Sequence, residues 1–259
     1  MVLKLYTERK PKNIIMKFLQ SISFVVILGF LFLASCSKDN ICISGEGDVT
    51  TQILTIPNFN AFNLEESATV IVQQGINQEV RVVGHPNIVA KLKGDVSGGL
   101  WDIEFEDGCF EDYQLTIYIT IPYLHKAVLS GSGDITIYDF DNVTYLDLSL
   151  PGSGNIEVRG FDDASRLNAT ISGSGNINGF GYWRKLKDLN VVLSGSGNFV
   201  GFPLITEDCN VLLSGSGNIQ VQATSLLDVR ISGSGNVYYK GYPTINTSIT
   251  GSGKLINWN

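Results

Sequence analysis

From residue 125 onward, apolar and polar positions alternate with a period of two, and the alternation returns in register about every 20 residues. Seven glycine-containing segments interrupt it: SGSGD at 130–134, PGSGN at 151–155, SGSGN at 172–176, 194–198, 214–218 and 232–236, and TGSGK at 250–254. Their starts are separated by 21, 21, 22, 20, 18 and 18 residues. One position before each segment stand Leu129, Leu150, Ile171, Leu193, Leu213, Ile231 and Ile249. Five before stand His125, Leu146, Leu167, Leu189, Cys209, Leu227 and Ile245, with a polar column between them that runs from Lys126 through Asp147 and Asn168 to Asn246. This alternation predicts a strand with one buried face. A second strand begins after each segment, at Ile135, Ile156, Ile177, Phe199, Ile219, Val237 and Leu255.

Two strands and a glycine turn per repeat fit either hairpins of a sandwich or coils of a solenoid. Hairpins do not require the same residue type in the same column seven times. Stacked coils do, because each column then lies on itself at about 4.8 Å. The expected fold is therefore all-β, a parallel β-helix with coils of about 20 residues and Gly-Ser-Gly-Asn turns, with a blade-like sheet as the fallback. The turn glycines are expected to supply corner conformations with φ > 0, which cost other residues roughly 1–2 kcal/mol, and to keep crowded corners free of side chains. The closing residues Asp134, Asn155, Asn176, Asn198, Asn218 and Asn236 are expected to form a structural ladder of side chains.

The part before residue 130 is less regular. Strand-like stretches lie at 51–56, 68–73, 79–83, 100–105 and 114–121, and 86–93 has the apolar spacing of a short helix. A fainter relative of the turn, SGEGD, stands at 44–48. The organisation read from the chain is thus a leader at 1–35, a linker at 36–43, an N-terminal β-rich part of the solenoid at 44–129 and regular coils at 130–259.

Composition narrows the class. With 44% hydrophobic and 17% charged residues in 259, the chain is no disordered polyampholyte. Four cysteines are too few for a disulfide-stapled miniprotein. Half of the 28 glycines fall in the seven turns, so this is not a linker or a collagen. A net charge of −7 argues against nucleic acid as a partner.

The first residues read as an address. The run 21–34, SISFVVILGFLFLA, follows Lys17 and is too short for a membrane span, but it fits the apolar region of a secretion signal. It ends in Leu33-Ala34-Ser35-Cys36, which resembles the lipobox of bacterial lipoproteins. That resemblance implies cleavage before Cys36 and lipidation of its thiol. Met16-Lys17 would itself open a normal signal, so Met1 to Ile15 can be an over-extended start. Removing 1–35 takes away five basic residues and one acid, leaving 13 basic and 24 acidic residues, a net of −11. So acidic a surface is repelled by anionic head groups, and anchoring falls to the acyl chains. Ser37 after the cysteine resembles outer-membrane sorting, and Lys38-Asp39 resembles the surface-export signal of Bacteroidetes lipoproteins.

A strand pair, a short helix and a strand, then LTIYITIP, SGSGD and repeated Gly-[Asn/Asp]-[Ile/Val] turns, together resemble the autotransporter adhesin head-domain family of Bacteroidetes lipoproteins. The likeness runs from about Phe59 to Asn259. It implies a right-handed β-helix and a family whose biochemical role is largely unassigned; "adhesin" is an analogy rather than a demonstrated activity.

Candidate chemistry is sparse. The glycine turns lack the Lys-Ser/Thr of a phosphate loop, and their 20-residue period and neutral asparagines differ from calcium-binding nonapeptide repeats. Asn142, Asn168 and Asn246 open Asn-x-Ser/Thr triplets, which matter only in a eukaryotic secretory protein. His125 falls in a core-facing column, and His85 reads as a loop residue. Glu104, Glu106, Asp107, Glu111 and Asp112 crowd around Cys109, with no base or cation set to pair them. Cys209 reads as a small core residue, and Cys42 and Cys109 are free to pair in an oxidising envelope, which spacing alone does not decide. No catalytic residue, metal or cofactor is expected. The leading reading is a lipid-anchored envelope protein, on the cell surface rather than the periplasmic face, with a non-enzymatic binding or adhesive role toward a glycan or protein. The rivals are a β-helix enzyme acting on polysaccharide and a periplasmic accessory of a membrane stress or transport system.

Overall fold

The computed structural model describes residues 42–141, 143–161, 164–181, 183 and 186–259. The leader, Cys36 and Asn142 lie outside the described residues.

The chain begins with β1 (Ile43–Ser44), β2 (Thr50–Leu54), β3 (Ala61–Leu64), β4 (Thr69–Gln74) and β5 (Glu79–Gly84). A one-turn helix, α1 (Pro86–Val89), leads to β6 (Val96–Ser97), β7 (Leu100–Ile103), β8 (Phe110–Glu111) and β9 (Leu115–Ile121). From there strands flank each glycine turn: β10 (Lys126–Leu129) and β11 (Asp134–Phe140), β12 (Tyr145–Leu150) and β13 (Asn155–Phe161), β14 (Arg166–Ile171) and β15 (Asn176–Phe180). They are followed by β16 (Asp188–Leu193), β17 (Asn198–Leu213), β18 (Ile219–Ile231), β19 (Val237–Lys240), β20 (Thr244–Ile249) and β21 (Leu255–Asn257).

These strands stack as a parallel β-solenoid. On one side Leu148, Ala169, Val191, Val211, Val229 and Thr247 follow one another in register. On the other, Ile135, Ile156, Ile177, Phe199, Ile219, Val237 and Leu255 do the same. The inward residues of both sides make one core, in which Leu189, Cys209 and Leu227 lie on each other fully buried. Each such aliphatic side chain contributes roughly 1.5–3 kcal/mol by leaving water. Coil length varies only at the second corner, where an internal stack of Phe140, Phe161 and Trp183 (centroids 5.4 and 5.2 Å apart) fills the wider turn. β17 and β18 run through that corner without a break. At the end of the stack β20 is exposed along its length, and Ile245 and Ile249 are open to solvent although their columns are core columns elsewhere.

The turn glycines are needed for a different reason from the one expected. None of the fourteen has a positive φ. Each instead passes directly over a carbonyl of the preceding coil, so crowding alone excludes a side chain. The SGEGD segment is not a coil corner: Gly47 has φ +78 and a Cβ there would meet nothing. His125 also departs from its column. Leu124 takes the core position, and the partly buried imidazole lies edge-on to Tyr145, 5.9 Å away.

The N-terminal part stacks out of chain order. β3 pairs in parallel with both β7 and β10, and β4 with both β9 and β11. The coil of residues 61–74 is therefore held between residues 100–121 and the first glycine-turn coil. β5 runs antiparallel to β9, and β2 antiparallel to β5. The helix is shorter than the 86–93 pattern predicts because Leu92 leaves it to bridge Phe105. Cys42 and Cys109 are joined as a disulfide beside the β1–β8 pair.

Candidate functional site

The closing residues of the turns are connected from coil to coil. Asn155 Nδ2 donates to Asp134 Oδ1 (3.0 Å), Asn176 Nδ2 to Asn155 Oδ1 (2.9 Å) and Asn198 Nδ2 to Asn176 Oδ1 (2.8 Å). In the shorter coils the link passes through the backbone: Asn218 N–H donates to Asn198 Oδ1, Asn236 N–H to Asn218 Oδ1, and Lys254 N–H to Asn236 Oδ1. The opposite sheet carries a second ladder from Asn210 through Asn190 and Asn168 to Asp147, with donor–acceptor distances of 3.1, 2.8 and 2.6 Å. The polar column before each turn contained that signal. Both ladders tie each coil to the next and so rigidify the scaffold.

What remains for a ligand lies on the outward face of the strands that follow the turns. Eight residues after each turn start stand Tyr138, Arg159, Phe180, Phe202, Gln222, Lys240 and Trp258. Rings and cations are mixed in this column and engage one another. Arg159 lies 5.8 Å from the Tyr138 ring and 6.0 Å from that of Phe180, while Lys240 Nζ sits 4.7 Å over Phe202. Tyr138, Phe180 and Trp258 are all substantially exposed. Two residues nearer the turn, Asn178, Val200, Gln220, Tyr238 and Ile256 occupy adjacent registers. Between these columns runs an open groove of about 730 Å³, lined by Asn178, Phe202, Gln220, Tyr238 and Trp258, with Asn176, Asn198 and Asn218 along its turn side. Trp258 packs edge-on to Tyr238, ring centres 5.4 Å apart. Its backbone is fixed by Trp258 N–H to Tyr239 O and by Asn259, whose carboxamide both accepts from Gly241 N–H and donates to Gly241 O. The exposed ring is thus held before any ligand arrives.

Other candidates are committed to structure. A second hollow of about 400 Å³ lies at Asn58, Phe59, Ile76, Gln78 and Tyr123, but Gln78 spends its amide on Phe59 N–H, Ile56 O and Pro57 O. In the acidic region, Lys91 pairs with Glu106 (2.9 Å) and Lys93 with Glu104 (3.1 Å). Glu66, part-buried beside them, is pushed above the usual carboxylate range by desolvation; Glu65 and Glu104 add to the rise, and the Phe105 N–H it accepts opposes it. Burial pushes the Cys209 thiol far up, which makes it unreactive. Among the described residues no group of three or more His, Cys, Asp or Glu is placed to hold a metal ion.

The profile of the family described as "Putative auto-transporter adhesin, head GIN domain" matches residues 58–243. A crystal structure of a "putative adhesin" from Bacteroides fragilis superposes with a TM-score of 0.75 at 23% identity, covering 83% of this chain and all of that one. A "putative lipid binding protein" from Parabacteroides distasonis gives 0.68 at 25% identity, covering 84% and 99%. A "putative adhesin" from Parabacteroides merdae gives 0.64 at 20%, with the same coverage. No curated protein matches.

Proposed function

The chain belongs to the head GIN-domain adhesin family, and from that premise we propose that it is a lipid-anchored, surface-facing envelope protein that binds its ligand without chemistry. The observation that carries the binding role is the outward stripe of exposed rings, cations and carboxamides on a rigid scaffold otherwise closed on itself. Exposed aromatic and polar residues on a rigid frame are the ordinary makings of a recognition surface. The family and its solved relatives are described as adhesins or binding proteins, which supports the same reading against an enzyme. Support for the anchor is the lipobox-like Leu33-Ala34-Ser35-Cys36, and the Cys42–Cys109 disulfide suits an oxidising compartment.

The test uses intact cells. Wild-type chain is expected to take up a palmitate analogue and to be shaved by external protease, and Cys36→Ser to be unlabelled and unprocessed. Equal labelling of both forms overturns the anchor. Protection of the wild type until the outer membrane is opened overturns the outward orientation.

A further inference from the structure

We propose that the groove between Asn178 and Trp258 is a subsite for an uncharged oligosaccharide lying along the solenoid axis. This inference rests on the binding reading above and names its ligand class.

Charge is the first argument. Among the described residues no charged side chain lines the groove, in a chain whose net charge is −7; Lys240, at its border, sits over the Phe202 ring. Phosphate, sulfate or uronate groups would meet an acidic protein in which Lys240, beside the groove, is already engaged with that ring. The available groups are instead carboxamides and rings. Asn178 and Gln220 make no side-chain hydrogen bond to any described residue, unlike the ladder asparagines beside them. A carboxamide both donates and accepts, which is what a sugar hydroxyl requires. Trp258, 55% exposed, and Tyr238 supply apolar faces against which the C–H side of a pyranose packs.

Spacing is the second. Asn178 and Gln220 lie two coils apart, about 10 Å, and Tyr238 and Trp258 continue the line over two further coils. The groove thus offers about 19 Å, in steps that an extended sugar chain can follow.

The rival occupants fit less well. A peptide strand would need an open sheet edge, whereas the strands that carry Asn178, Gln220 and Tyr238 are already paired to the coils on both sides, and at the groove the open edge lies only at β21. An acyl chain would need an enclosed apolar cavity, and this groove is open and half lined by amides.

Trp258 supplies its own reporter, because the other two tryptophans, Trp101 and Trp183, are buried. The purified full-length chain, in a detergent without a sugar head group, is titrated with cellotetraose, maltotetraose, mannotetraose and chitotetraose, with tetragalacturonate as the charged control. At least one neutral probe should change the emission saturably, and tetragalacturonate should not. Trp258→Phe should abolish the optical change while calorimetry still detects binding. Trp258→Ala, and separately Asn178→Ala with Gln220→Ala on other coils, should each weaken binding at least tenfold with an unchanged melting curve. The proposal is overturned if no neutral probe binds at millimolar concentration, if tetragalacturonate binds as well as the neutral chains, or if the alanine variants bind like wild type. None of these results bears on labelling at Cys36 or on protease access, so the two readings fail separately.

Discussion

A Cβ added at Gly154 would stand 1.6 Å from the carbonyl oxygen of Gly133, one coil below. The same relation recurs between Gly197 and Gly175 (1.7 Å) and between Gly253 and Gly235 (2.0 Å). The turn is therefore a backbone-on-backbone contact, and glycine is required by its neighbour rather than by its own torsion angles.

Substitution in a middle coil should consequently be severe. Gly197→Ala is expected to lower stability by several kcal/mol, because the methyl group meets the coil below while the coil above prevents escape. Gly253→Ala, in the outermost coil, can lift away and should cost less. Gly47→Ala, strained in φ but in open space, should cost about 1–2 kcal/mol. Chemical denaturation of the three variants gives the order; equal losses at 197 and 253 would contradict stacking as the cause.

Cys209 tests the core. Its side chain is buried between Leu189 and Leu227, so Cys209→Val should be mild and Cys209→Asp should cost several kcal/mol by burying a charge without a partner. Melting temperatures within a degree or two of each other would place that column in solvent.

Glu66 sets a pH dependence. Its folded-state affinity for a proton is raised chiefly by desolvation, so the ionised form costs stability at neutral pH. That cost is relieved as pH falls through the raised value and is gone below the ordinary 4.5. Glu66→Gln should therefore stabilise the protein at pH 7, keeping an acceptor for Phe105 N–H, and the difference from wild type should shrink on acidification. A variant less stable than wild type at pH 7 would show that the carboxylate is net favourable.

The amide ladder gives a last measurement. Asn198 accepts from Asn218 N–H and donates to Asn176, so Asn198→Ala should lose about 1 kcal/mol or somewhat more. Neutral carboxamides are poor ligands for a hard cation, so calcium or EDTA should leave the wild-type melting curve in place. A rise of ten degrees with calcium would revive a metal-loaded turn.

The regular coils were legible because stacking repeats its demand: the same column must hold Leu129, Leu150 and Ile171, and the sequence shows it. The N-terminal part was not, because Ala61 meets Leu100 and Lys126 through pairings that occur once and leave no periodic trace. His125 was misplaced for a related reason. At the first coil the chain arrives from β9 over an intervening coil, and Leu124 fills the core in its stead. The groove escaped notice because its two columns mix rings, amides and cations. Their shared property is exposure, which composition does not encode. Phe180 and Phe202 look like core residues until the register puts them outside.

The coil of residues 61–74 has neighbours on both sides, one made by residues 100–121 and one made by residues 126–140 beyond those. The order of layers in the stack is therefore not the order of the chain. That coil is internal, with layers lying on it in two directions. One direction stops at once, since the antiparallel β5 and β2 offer no template for another parallel layer. In the other, every completed layer presents the pattern on which the next can assemble. The stack is in this sense polar, closed at one end by antiparallel strands and presenting an open parallel edge at β20 and β21.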